Sequence, residues 1–288
     1  MKLNKKYLAP LCSLFVTGGL LLSIVVLVMG SSFGWFSNND KVSASGISVS
    51  SISPFKTEET LYMEDPNTAG KLVPLQDYAN ATVFSAMLPG NQRTVYLRVY
   101  NEESATALSL DLLLSAPSTS TDSGYSANVT TGTGENATTV TEYYYFGTQV
   151  RVSKIALANC TVTETDGAES VVLQCVADTD LCTLTGAQKF LLTMPDAFYT
   201  NGVQGVGATE AQVNSAFAAA SQKMLTGSDA ITVAAKGTVW IAITFEFVEN
   251  GQVQNPYIDF ANKNSEDEAK KGFVLTREIL CRYGEAAD

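Results

Sequence analysis

Three stretches of strict alternation constrain this chain more than any other feature. Val239, Ile241, Ile243, Phe245 and Phe247 alternate with Trp240, Thr244 and Glu246. Val95, Leu97 and Val99 alternate with Tyr96, Arg98 and Tyr100, and Leu108, Leu110, Leu112 and Leu114 alternate with Ser109 and Asp111. A period of two puts one set of side chains on a core and the other toward solvent, as in antiparallel sheets. Further strands are expected at Thr82–Leu88, Gln149–Leu157, Ser170–Val176, Lys189–Met194 and Ile231–Ala235. In Gly272–Tyr283 the face shared by Phe273, Leu275, Ile279 and Cys281 is interrupted by Arg277. One segment has a helical period instead. Val213, Ala216, Phe217, Ala220 and Met224 recur at spacings of three and four, after a Thr209-Glu210 cap and before Gly227, which predicts a short helix near 209–226. Ala116–Thr141, rich in Ser, Thr, Gly and Asn, is expected to be a mobile excursion, and Asn262–Gly272 a charged surface connection. No internal repeat or interior linker divides residues 53–288. The expected fold class is all-β, a two-sheet antiparallel sandwich with a short helical insertion.

The N-terminus is of another kind. Lys2, Lys5 and Lys6 precede an uncharged run from Tyr7 to Asn38 that is apolar from Leu8 to Gly30. A signal peptide carries an apolar stretch of roughly 7–15 residues and a bilayer span needs about 20, so residues 8–30 are long enough to span. The basic flank keeps the N-terminus inside and sends the remainder outward. Ser32 and Gly34 have the small-residue spacing that suits signal peptidase cleavage between Gly34 and Trp35. Residues 1–34 are therefore a signal peptide or, uncleaved, a transmembrane anchor. Cys12, inside the run, reads as a buried small hydrophobe.

Composition removes several kinds of chemistry. The chain of 288 residues contains no histidine, which excludes Ser-His-Asp and Cys-His catalysis, HExxH chemistry and histidine-ligated zinc. The net charge is −11, and only Lys2, Lys5 and Lys6 among the charged residues precede Asp40. Such an acidic body is a poor partner for nucleic acid. Neither a P-loop nor GxGxxG occurs. The acidic groups Glu58, Glu59, Glu64, Asp65 and Glu266, Asp267, Glu268 read as solvated faces or loose cation sites and lack the spacing of a calcium loop. No cofactor, metal or catalytic residue is expected.

Cys160, Cys175, Cys182 and Cys281 remain in the exported part. Equal arms on either side of Gly167/Ala168 would place Cys160 across a hairpin from Cys175, making that pair the disulfide candidate. Four-thiolate zinc is the alternative, although no CxxC pair occurs. The sequons at Asn80, Asn128, Asn136 and Asn159 match a glycan acceptor pattern that a Thr- and Asn-rich chain also yields by chance. Tyr143, Tyr144, Tyr145 and Phe146 fit either a sugar-binding platform or a core strand edge.

Three collinear stretches resemble the TasA–camelysin family of exported Gram-positive surface and biofilm-matrix proteins. They are Gly34-Trp35-Phe36-Ser37-Asn38-Asn39-Asp40 leading into Val42–Ile47, then Leu88-Pro89-Gly90-Asn91 with Val99-Tyr100-Asn101-Glu102, and then Phe245–Asn255. The middle of the chain, roughly 115–230, matches only in general character, and Pro256 after Gln254-Asn255 departs from the family's pattern. The resemblance implies a jelly-roll-like sandwich, processing by the specialised signal peptidase of that family, and assembly with copies of itself or related matrix subunits into fibres. In those fibres the freed N-terminal strand of one subunit completes the sheet of the next. Residues 35–52 are the corresponding donor-type segment. Within it Val42, Ala44 and Gly46, then Ile47 and Val49 after a change of phase, are slim and β-prone. Pairing of Val42–Ile52 within its own domain is the competing expectation. The family's metallo-endopeptidase label, through camelysin, finds no histidine here to support it. The reading is an exported, non-enzymatic fibre subunit, with an anchored adhesin or ligand-binding module as the alternative.

Overall fold

The computed structural model describes residues 42–44, 47–75, 83–84, 87–115, 125–131, 137–144, 146–165, 167–192, 199–200, 203–204, 223–227, 230–249 and 277–286. The expectations for residues 1–40, including the signal, Cys12 and the Gly34/Trp35 cleavage point, lie outside these, as does Gly46.

The strands in chain order begin with β1 (Val42–Ala44), β2 (Ile47–Ile52), β3 (Thr57–Glu64), β4 (Lys71–Pro74), β5 (Gln92–Asn101) and β6 (Leu108–Ser115). Next come β7 (Tyr125–Thr131), β8 (Thr138–Tyr144), β9 (Val150–Thr165), β10 (Ala168–Val176), β11 (Tyr199–Thr200) and β12 (Val203–Gln204). The last are β13 (Lys223–Met224), β14 (Thr232–Val233), β15 (Thr238–Phe247) and β16 (Arg277–Glu285). Among the described residues 3-10 turns also occur, at Phe146–Thr148 and Gly186–Lys189.

The molecule is all-β and built on two sheets. In the first, β1, β2, β16 and β6 lie side by side, and β13 and β14 both pair with the outer edge of β6. Its ladders are antiparallel except one: β2 runs parallel to β16, from Ile47↔Arg277 to Ile52↔Arg282. The second sheet closes on itself in the order β10-β4-β3-β5-β15-β9. Two hairpins, β7–β8 and β11–β12, stand apart from both sheets in their pairing.

The alternating sets fill a main core between the sheets. Leu61, Leu97, Ile241, Ile243 and Phe245 from the second sheet meet Val49, Leu110, Leu112 and Ile279 from the first. The opposite face of the same strands is not left to solvent. Tyr62, Tyr96, Trp240 and Ala242 are covered by Leu72 of β4 and Val171 of β10 and form a second, smaller core inside the closed sheet. Tyr96 and Trp240 are each 5% exposed, which corrects the expectation that their face looks outward. The cause is the long β9–β10 hairpin, which curls back until β10 meets β4.

Other expectations change in detail. The helix near 209–226 falls mostly outside the described residues, but its end is extended: Lys223 and Met224 pair with Leu114 and Leu113, and Thr226 bridges Cys182. The neighbouring β6 edge supplies partners that local propensity does not anticipate. In Thr82–Leu88, Val83 and Phe84 form a turn, with Phe84 edge-on to Phe245 at 5.4 Å. Lys189–Met194 contributes the end of a 3-10 turn and one bridge, Phe190↔Arg151, where a strand was expected. The Ala116–Thr141 excursion contains β7 and the start of β8. Arg277 does not interrupt β16; it is 3% exposed and its Nε donates to the Leu191 carbonyl at 3.0 Å.

Candidate functional site: the N-terminal strand and the edges of the sheets

Unpaired backbone at a sheet edge is a ready template for another chain, so a candidate site lies wherever a sheet edge is left open. The second sheet has none, because the β10–β4 ladder (Val171↔Leu72, Val172↔Lys71) closes it. The first sheet has two. The outer edge of β6 is capped along its length. Val233 and Thr232 pair with Leu108 and Ser109, and Met224 and Lys223 with Leu113 and Leu114. Between them Leu110 N–H donates to Ile231 O at 2.9 Å and Leu225 N–H to Leu112 O at 2.7 Å. Leu112 N–H donates to Oγ1 of Thr226, a fully buried side chain that stands in for a strand carbonyl. Two two-residue strands and one hydroxyl thus blunt this edge.

The other edge belongs to the N-terminal segment. β1 and β2 form a tight antiparallel pair, Val42↔Val49, Ser43↔Ser48 and Ala44↔Ile47. β2 then lies on β16, and Ile47 and Val49 enter the main core at 1% and 0% exposure. Of the donor candidates, Val42, Ala44, Ile47 and Val49 are therefore brought together on the flank of their own domain. The outer edge of β1 has no partner strand among the described residues. Only Ser53–Lys56 links β2 to β3. Within that link Ser53 Oγ accepts from Phe55 N–H at 2.9 Å, and Glu103 accepts from Lys56 N–H at 3.1 Å.

Cys160 and Cys175 lie on neighbouring strands but not directly opposite each other. The four described thiols are free. The β9–β10 register pairs Cys160 with Leu173 and Cys175 with Asn159, because the hairpin turns one residue earlier than the symmetric reading and a bulge falls between Leu173 and Cys175. Burial raises the Cys160 thiol to about 11, with Cys175 adding to the rise. Cys281 is wholly buried and pushed well above the thiol range, the state of an inert structural cysteine. Among the described residues no three His, Cys, Asp or Glu side chains are grouped to hold a metal, and no helix is long and apolar enough to cross a membrane.

Two polar constellations escaped the sequence reading. Asn101, fully buried at the end of β5, donates through Nδ2 to the carbonyls of Thr106, Val233 and Ala234 and accepts from Glu103 N–H at 2.9 Å. It ties the β5–β6 loop to the turn before β15, where Lys236 is held at φ 53°. A strand ending in Asn was the only signal for it. The second constellation surrounds Arg98. Its guanidinium lies 5.8 Å from the Trp240 ring centre and its Nη1 donates to both Glu169 oxygens, at 2.8 and 2.9 Å. Tyr62 packs against Trp240 with the rings tilted by 59° and their centres 4.9 Å apart, and its hydroxyl is 3.4 Å from Glu169. Burial raises the Tyr62 hydroxyl, and raises Tyr96 to about 12 with Glu64 adding to it. Elsewhere burial, and then Arg277, lowers Lys223 to about 8. None of these groups pairs a nucleophile with a base. Comparison with known proteins finds no family model, no curated protein and no solved structure that matches this chain.

Proposed function

We propose that this chain is a non-enzymatic, exported surface or biofilm-matrix protein that assembles as a fibre subunit, donating Asn38–Ile52 to the first sheet of the next copy. The observation that carries the reading is the position of β2. With only β1 outside it, β2 is held to the body by one parallel ladder and a four-residue link, yet it supplies two side chains to the main core. Exchange of such an element between copies rebuilds the same contacts in trans, so its cost is that of association and not of new recognition. Among the described edges of the two main sheets, the capped edge of β6 and the closed second sheet leave that flank as the place for addition. The jelly-roll-like topology, the signal peptidase and the related subunits belong to this proposal through the resemblance to the TasA–camelysin family.

One observation favours a second reading. In the single chain Val42–Ile52 is already paired within its own sheet, as in an anchored adhesin or ligand-binding module that stays monomeric. Electron microscopy of concentrated, processed protein separates the two. Filaments are expected from the mature chain and none from a chain lacking Asn38–Ile52, with a synthetic 38–52 peptide binding the truncated chain. Normal filaments from the truncation, or a mature protein that stays monomeric at high concentration, would refute strand donation.

A further inference from the structure

The cover of the smaller core is attached differently from everything beneath it. The β15 ladder with β9 runs from Phe247↔Val150 to Trp240↔Ala158. Beyond it Asn159–Thr165 pairs with β10 alone. β10 in turn meets β4 at two residue pairs, aided by one hydrogen bond from Leu173 N–H to Gly70 O at 2.7 Å. By contrast β5 and β15 share nine consecutive pairs. The distal hairpin therefore projects past its supporting strand. It is seated by Val171, Leu173 and Cys160 on the small core and by the reach of Arg98 from β5 to Glu169 on β10. The root of the hairpin has the geometry of a hinge. A bulge between Leu173 and Cys175 breaks the ladder there, and Gly70, at φ 76°, lets the β3–β4 turn present its carbonyl to Leu173 at the same point.

We propose that the distal β9–β10 hairpin is a flap, latched by Arg98 and Glu169, that swings off an intact two-sheet domain and uncovers the Tyr62–Tyr96–Trp240 face. Local opening of this kind selects segments with few ladder bonds and few buried apolar groups, while the strands below stay protected. The latch suits that role because it is partly solvated, with Arg98 and Glu169 side chains 22% and 40% exposed. An ion pair in such a setting adds only a modest increment. Arg98 Nε is buried without a partner, so opening also returns a desolvated donor to water.

The full chain carrying Trp35→Phe leaves Trp240 as its sole tryptophan and supports two readouts at once. Hydrogen exchange followed by mass spectrometry should show residues 168–176 exchanging faster than 238–247. Acrylamide should quench Trp240 by an opening that Glu169→Gln makes about threefold more frequent, the increment of an exposed ion pair. The Glu169→Gln change should accelerate 168–176 by the same factor and leave 238–247 unaltered. Equal exchange of the two segments, or an acceleration common to both, would show that the hairpin opens only with the whole domain and would overturn the proposal. Faster exchange at 168–176 with unchanged Trp240 quenching would overturn it as well, since the tip would then fray without uncovering the platform.

Discussion

The two faces of the central strands β3, β5 and β15 are built on opposite principles. One face meets the first sheet through Leu61, Val95, Leu97, Ile241, Ile243 and Phe245, all fully buried. The other is aromatic, carries Arg98 and Glu169 at its margin, and is sealed by a hairpin whose last stretch has a single ladder neighbour along most of its length. Area removed from water stabilises both, at about 25 cal/mol per Å². They differ in what must come apart to expose them. The main core opens only if whole sheets separate, whereas in the proposed flap motion the smaller core opens if two ladder pairs, the Leu173–Gly70 hydrogen bond and the contacts of Glu169 with Arg98 and Tyr62 let go. Burial of a side chain therefore says little about how often it meets solvent; the attachment of its cover decides that.

The comparison breaks most visibly at the main core. Phe245→Ala removes a fully buried ring packed edge-on to Phe84, and should cost about 3–5 kcal/mol. Denaturant unfolding should show the loss as a lower midpoint of the whole transition, and a loss below about 1 kcal/mol would mean that the site collapses freely. A smaller effect is expected on the other face. Val171→Ala deletes two methyl groups of the flap at 2% exposure, worth about 1–2 kcal/mol. Hydrogen exchange should place that loss in β10 and the distal part of β9 and spare β5 and β15; a uniform loss across all four strands would join the two cores into one cooperative unit.

The smallest effect is a pH dependence at the exit from β10. Burial by itself would raise the Asp180 carboxyl, but N–H groups of Ile155 and Cys182 and the Lys189 ammonium more than offset it, and the group is held below its ordinary value. A depressed folded pKa gives stabilisation that is complete above the unfolded value of about 3.9 and is lost as pH falls through the folded one. Asp180→Asn should therefore lie closer to the unchanged protein in acid, near pH 3, than at pH 6, by roughly the modest increment of a partly exposed charged group. A difference in stability that is constant across that range would remove Asp180 as the titrating clamp.

Much of this architecture was legible in the residues because alternation has a direct physical cause. The strand at 239–247 and those at 95–99 and 108–114 lie where period two placed them, since each needs one apolar face whatever covers it. Lys223-Met224 was not legible: it is a two-residue strand whose conformation is dictated by the β6 edge it caps, where a helix was expected, whereas Thr232-Val233 lies within the strand expected at Ile231–Ala235. The hairpin register at Cys160 and Cys175 depends on the turn position and on one bulge, and a shift of one or two residues there separates two thiols that symmetry would have paired. In the candidate site, the slim N-terminal segment was visible as β-prone chain, but its parallel seat on β16 joins residues more than two hundred positions apart.

The sequence by itself therefore determined an all-β chain with an apolar run near its start, an acidic body without histidine, and strands with one committed apolar face. These follow from composition and period, which act locally. Only the tertiary structure decided what lies against the second face of β5 and β15, which edges are closed, and that Arg98, Trp240 and Glu169 meet. Those outcomes depend on where a long hairpin lands when it curls over the sheet, a choice made by contacts between distant strands.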